Sequence, residues 1–162
     1  MKIGIIGGTG GMGKGFALRW SQNHNVIVGS RDAVRASESA KEYTNLAKES
    51  FGQINGTITG NDNVSVAKDS DVLILSIPYE NIDSVCSEIL PVVKDSCVVV
   101  SPIVPMIKTD VGFEFIPIKE NKPLSGQIIY CPLYFEIKYR VLSIAFCLLE
   151  FPLSLINFTA IK

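Results

Sequence analysis

Residues 2–6, Lys-Ile-Gly-Ile-Ile, form a short apolar run that stops at glycines, the pattern of a strand buried on both faces. Phe16, Ala17, Leu18 and Trp20 then predict a helix running to about Asn23, and Val26 to Val28 a second buried strand. Over residues 32–50, Ala36, Ala40, Tyr43 and Ala47 recur on one face of an amphipathic helix. A third strand is expected over Gly56 to Thr59, followed by a short helix at Val64 to Lys68. Asp71 to Ser76 is the clearest strand in the chain. A helix from about Glu80 stops at Leu90 before Pro91, and Val98 to Ser101 is the next strand. Strands alternating with helices predict an α/β fold with a doubly wound parallel sheet. The character changes after Gly112. From Gly126 to Lys162, bulky residues with scattered prolines follow neither period, so residues 1–112 read as the domain and 113–162 as an apolar tail without assigned structure.

Composition narrows the partners. The chain has 162 residues, 47% hydrophobic and 19% charged, with a formal net charge of -1. No Lys/Arg cluster is long enough to follow a phosphate backbone, so nucleic acid is not expected. Cys86, Cys97, Cys131 and Cys147 form no CxxC pair and no metal spacing with histidine. Met1 runs straight into a strand pattern with no targeting segment before it, so the expected compartment is a reducing cytoplasm with free thiols.

Between the first strand and first helix stands Gly8-x-Gly10-x-x-Gly13. A glycine loop that follows a strand and opens a helix is the dinucleotide-binding fingerprint in its proper context, and marks a Rossmann fold. Gly8 is expected to permit the tight turn, Gly10 to let the backbone approach a pyrophosphate, and Gly13 to let helix and strand pack closely. The helix N-terminus adds oriented N–H groups and partial positive charge.

The end of the second strand selects between cofactors. A site for NAD places an acid about 20 residues past the glycines to accept from the ribose 2′-hydroxyl. Here Val28-Gly-Ser-Arg31 offers none; a 2′-phosphate would instead meet Ser30, Arg31 and, one helical turn on, Arg35. Arginine suits phosphate because its planar fork donates two hydrogen bonds while staying charged. Both arginines could simply be solvated, but cations in a first turn oppose the helix dipole, and Asp32 already suits that place. NADP is favoured over NAD. His24 reads as a solvated turn residue, Cys86 and Cys97 as buried thiols, and Asp69 and Asp71 as turn formers. No catalytic residue and no metal ligand is assigned, in keeping with hydride transfer, where the cofactor carries the chemistry.

Ile5-Ile-Gly-Gly-Thr-Gly-Gly-Met-Gly-Lys-Gly15, Val28-Gly-Ser-Arg31, Ile77-Pro-Tyr79 and Val100-Ser-Pro-Ile-Val-Pro105 together resemble the NADPH-dependent coenzyme F-420 reductase family, over about residues 1–115. The resemblance implies Thr9, Gly10, Gly11 and Met12 at the pyrophosphate and Ser30, Arg31 and Arg35 at the 2′-phosphate. It implies Ser76, Ile77 and Pro78 on the nicotinamide side, with Pro102 and Val104 near the ring. The implied reaction is reversible hydride transfer between NADP(H) and the deazaflavin coenzyme F-420, the second substrate, without an obligatory protein acid or base. The family continues with a histidine-containing segment and a mostly helical part that closes over the deazaflavin and builds a homodimer. Gly126 to Lys162 matches none of it, contains no histidine and reads as a frameshifted or divergent ending.

Two other readings stay open. One is another NADP-dependent reductase of this fold, of the ketoacid, imine or ferric reductase type; the other is a non-catalytic NADP-binding module. A membrane-anchored version would need a span in the tail. Val141 to Phe158 is apolar but interrupted by Glu150 and Pro152, and a central carboxylate costs roughly 2.5–3.5 kcal/mol on insertion. A membrane association is not expected.

Overall fold

The computed structural model describes residues 1–103, 106–115 and 142–143. Five parallel strands, β1 (Lys2–Ile6), β2 (Asn25–Ser30), β3 (Ile58–Asp62), β4 (Val72–Leu75) and β5 (Val98–Ser101), lie side by side in the order β3-β2-β1-β4-β5. Strand addition therefore runs outward from β1 in one direction and then, from β4, in the other. The crevice between β1 and β4 is the switch point at which open α/β sheets bind ligands. A hairpin of β6 (Met106–Thr109) and β7 (Gly112–Phe115) follows across the change of character near Gly112, and β8 (Leu142–Ser143) pairs parallel with β5.

Period-two alternation in β1 divides the core. Ile3 and Ile5 join Val26, Val28 and Ile74 under α1 (Gly11–Trp20) and α2 (Ala33–Phe51), meeting Ala17, Ala40, Tyr43 and Ala47. Ile6 turns to the other face and joins Leu73, Leu75 and Val99 under α3 (Asn63–Asp69) and α4 (Ile82–Ile89), meeting Val66, Ala67, Val85, Cys86 and Ile89. Each large side chain sealed in this way contributes about 1.5–3 kcal/mol relative to exposure. The doubly wound parallel sheet expected from the alternating pattern is present.

The boundaries differ in instructive places. The third strand is displaced from 56–59 to Ile58–Asp62. Gly56 sits against the His24 carbonyl and donates its N–H to Ser21 O at 3.0 Å, so it belongs to the turn packing rather than the ladder. Strand register starts at Ile58 against Val26 and continues through Gly60, Asn61 and Asp62. Their polar character misled because β3 is an edge strand. Helix α1 ends at Trp20, where the His24 N–H closes a turn on the Trp20 carbonyl at 2.8 Å. A 3-10 turn at Tyr79–Asn81 precedes α4, and another at Leu90–Val92, containing Pro91, follows it. Cys86 and Cys97 are buried and neither is in a disulfide; burial pushes the Cys97 thiol up to about 11. Cys131 and Cys147 lie outside the described residues.

Gly60 is wedged against the Ala36 carbonyl where α2 crosses β3, whereas a Cβ on Gly15, inside α1, would meet nothing within 4 Å. Gly60→Ala is expected to destabilise the chain by about 1–3 kcal/mol through overpacking. Gly15→Ala should stabilise it by roughly 0.5–1 kcal/mol by removing backbone entropy from the unfolded state. Urea unfolding midpoints check both; equal shifts in the same direction would contradict the tight α2–β3 contact.

Candidate functional site

The loop after β1 is built on close backbone approach. Gly7 takes the left-handed conformation with φ 71, so the tight turn falls there and not at Gly8 as the fingerprint spacing suggests. Gly8 has another task. Its N–H donates to the Gly29 carbonyl at 2.8 Å and to the Ile5 carbonyl at 3.2 Å, stitching the loop to β2 and β1. A Cβ on Gly8 would lie 3.0 Å from Val28 Cγ1, and one on Gly13 would lie 2.5 Å from Gly8 Cα. Gly13 thus lets α1 rest directly on the loop. Tyr43 of α2 underpins the same point by donating its hydroxyl to the Gly8 carbonyl at 3.5 Å. Burial raises the Tyr43 pKa, keeping the phenol protonated.

Gly10 and Gly11, by contrast, face outward. The nearest atom to a Cβ on Gly10 would be Gly7 O at 3.6 Å, and Gly11 has nothing within 4 Å. Gly10 is the N-cap of α1, with no side-chain cap and no acidic residue in the first turn. The first N–H groups of a helix lack intrahelical partners and carry partial positive charge, which makes this end fit to receive an anion.

At the end of β2, Ser30 Oγ accepts from the Asp32 N–H at 3.3 Å. Asp32 Oδ1 in turn accepts from the backbone N–H groups of Val34 at 2.8 Å and Arg35 at 3.3 Å, capping α2. The nearest acid to the strand end is therefore engaged as a helix cap. Arg31 and Arg35 are exposed, and neither enters a salt bridge among the described residues.

A groove crosses the top of the sheet at the switch point. Its larger part, about 610 Å³, runs from Thr9 and Gly10 to Ser30, Arg31 and Arg35, walled by Ser76, Ile77 and Pro78 after β4. Its smaller part, about 460 Å³, is lined by Gly11, Met12, Pro102 and Ile103 together with Tyr79 and Glu80. Gly10, Ser76, Ile77 and Pro78 border both. Of the residues singled out in the sequence, Gly8 and Gly13 are buried beneath the groove, and Val104 lies outside the described residues.

The groove also uses residues that the sequence reading did not pick. Asn81, Ser84 and Glu88 line one wall together with Val85; their spacing of three and four, each one residue before the buried Ile82, Val85 and Ile89, is a polar helical stripe that could have been noticed. Asn63, the first residue of α3, also lines it. It follows Asp62, whose carboxylate caps α3 by accepting from the Ser65 N–H at 2.9 Å and hydroxyl at 2.7 Å. Those bonds hold Asp62 below its ordinary pKa. Asn63 Oδ1 and Ser101 Oγ are buried without a hydrogen-bond partner among the described residues. Within the same residues no group of three His, Cys, Asp or Glu could hold a metal ion, and no helix is long and apolar enough to cross a membrane.

Comparison with known proteins agrees with this architecture. The model of the family described as NADP oxidoreductase coenzyme F-420-dependent matches residues 2–105. An F-420-dependent NADP reductase of Methanocaldococcus jannaschii is 46% identical over 80 residues, covering 49% of this chain and 35% of that protein. A protein of the same name from Methanothermobacter thermautotrophicus is 40% identical over 81 residues, covering 49% and 33%. The match thus spans about a third of the length of these relatives. Among solved structures, a lactate dehydrogenase from a Medee basin deep-sea metagenome library superposes with a TM-score of 0.53 at 16% identity, covering 65% of this chain and 38% of that one. At that identity the likeness is one of fold.

The crowding at Gly13 and the open space at Gly11 make a stability test of the loop. Gly13→Ala is expected to lose about 1–3 kcal/mol because its Cβ must displace the Gly8 backbone. Gly11→Ala should stay within about 0.5 kcal/mol of the parent. Thermal unfolding distinguishes them, and a harmless Gly13→Ala would refute the seam between α1 and the loop.

Proposed function

The chain belongs to the family of coenzyme F-420-dependent NADP oxidoreductases, and on that premise we propose that residues 1–112 bind NADP(H) along the groove and serve hydride exchange with a deazaflavin coenzyme. The observation that carries the cofactor choice is the gathering of Ser30, Arg31 and Arg35 at one end of the larger cavity, while Asp32 Oδ1 caps α2. A 2′-phosphate there meets a hydroxyl and two guanidinium groups. A free 2′-hydroxyl finds no carboxylate in the position an NAD site provides.

The residues fit the rest of the cofactor as well. Gly10 and Gly11 leave the α1 N-terminus bare for the pyrophosphate, with Thr9 and Met12 on either side. Ser76, Ile77 and Pro78 would hold the nicotinamide half, and Met12, Pro102 and Ile103 give that end a mainly apolar lining. When bound, the nicotinamide supplies or accepts the hydride. The chain's contribution is orientation, and holding two rings in register can be worth roughly 7–11 kcal/mol of barrier. The deazaflavin as second coenzyme is supported by family membership and by the names of these two relatives.

Arg31→Ala is expected to weaken NADPH by about 1.5–3 kcal/mol, the worth of a charge-assisted contact, and to leave NADH nearly unchanged. Calorimetric titration measures both, and equal losses would refute the 2′-phosphate assignment. Gly10→Val should abolish binding of either nucleotide without lowering the unfolding midpoint, because the side chain would stand in the groove and not in the core. Retained affinity in the folded variant would move the pyrophosphate elsewhere. For the second coenzyme, deazaflavin absorbance is followed with saturating NADPH. Because Gly126 to Lys162 does not match the family's part that closes over the deazaflavin, a chain that binds NADPH is expected to bleach it slowly or not at all, and family-like turnover would overturn that expectation.

A further inference from the structure

Asn63 is 4% exposed, and its Oδ1 has no hydrogen-bond partner among the described residues although the residue lines the larger cavity. An unpaired buried amide oxygen is costly, so its retention calls for a specific partner or role. The position is well defined. Asp62 pins the start of α3 through Ser65, and Asn63 Oδ1 lies so close to β2 that a Cβ on Gly29 would come within 2.9 Å of it. Gly29 immediately precedes Ser30, and Asn63 borders the same cavity as Ser30, Arg31 and Arg35. The residue thus borders the groove near Ser30, with its acceptor oxygen buried against Gly29. Glycine at position 29 is what leaves room for it.

We infer that Asn63 is a specificity-determining residue for the adenosine half of the nucleotide, its Oδ1 accepting a hydrogen bond from the adenine amino group or a ribose hydroxyl. This rests on the NADP reading of the groove. It adds a contact that the glycine loop and the two arginines do not supply. Arginines recognise a phosphate whatever base it carries, whereas an amide acceptor requires an N–H or O–H donor.

The test uses the full chain with NADPH, with 2′,5′-ADP as the adenosine half alone, and with the hypoxanthine analogue of 2′,5′-ADP, which lacks the amino group. Asn63→Leu has nearly the same shape without the polar atoms. Replacing a buried, unpaired acceptor by an apolar isostere should leave the unfolding temperature of the nucleotide-free chain equal or higher. Affinity for 2′,5′-ADP should nevertheless fall by about tenfold, the scale of one lost hydrogen bond. If the parent prefers the adenine form and Asn63→Leu erases that preference, the donor is the amino group. If both analogues weaken equally, the donor is a ribose hydroxyl. Undiminished 2′,5′-ADP affinity in the folded variant, with the parent binding NADPH normally, would overturn the role of Asn63 alone. A parent chain that binds neither NADPH nor 2′,5′-ADP would overturn the nucleotide reading itself. Should Asn63→Leu fail to fold, the nitrogen-15 side-chain amide signal of Asn63 in the parent decides. A shift on adding 2′,5′-ADP supports the contact, and a stationary signal at saturation overturns it.

Discussion

The bond from the Gly8 N–H to the Gly29 carbonyl, 2.8 Å long, holds the loop after β1 down onto β2, and the geometry above the sheet follows from it. With the loop pressed flat, α1 can start directly over it only if neither surface carries side chains. Gly8 and Gly13 meet that demand together, since a Cβ on either would strike backbone or the neighbouring strand. The first turn of α1 is then presented at the switch point between β1 and β4, with its free N–H groups facing the groove. A helix end left bare in this way is useful only when it is aimed, and the glycine seam does the aiming.

The groove so created has two unlike ends. Toward β2 and α2 it is polar and cationic, with Ser30, Arg31 and Arg35 around a carboxylate already committed to a helix cap. Toward β5 it is apolar, with Met12, Pro102 and Ile103. This division matches the demands of a dinucleotide whose phosphates need donors and whose reactive ring needs a dry, shaped surface. Asp32 shows how one residue can settle two matters: its Oδ1 starts α2, and its backbone N–H fixes the Ser30 hydroxyl oxygen at 3.3 Å.

Much of this was legible before any coordinates. The alternating strand and helix pattern implied the sheet, and the loop of Gly8, Gly10 and Gly13 implied a crevice over it. Ser30, Arg31 and Arg35 could be grouped because they share one strand end and one helical turn, and local spacing suffices for that. The individual glycine tasks were less legible. The tight turn belongs to Gly7, which alone in the loop takes a positive φ; spacing identifies the motif but not which glycine bends. Strand β3 escaped its boundaries because an edge strand, paired on one side, tolerates Asn and Asp where a central strand would not.

What the sequence by itself determined is therefore set by short-range periodicity and chain chemistry: the strand and helix order, the glycine loop, the basic strand end and the absence of an acid within it. The tertiary structure decided what depends on residues far apart in the chain meeting. Asn63 reaches the groove only because β3 pairs with β2 and delivers α3 beside Gly29. The wall of Asn81, Ser84 and Glu88 exists because α4 seats Ile82, Val85 and Ile89 in the core and leaves the adjoining polar stripe, with Asn81 of the preceding turn, at the crevice. An asparagine after an edge strand carries no local mark of function. Its interest comes from burial without a partner among the described residues, and burial of that kind is a property of the packed fold.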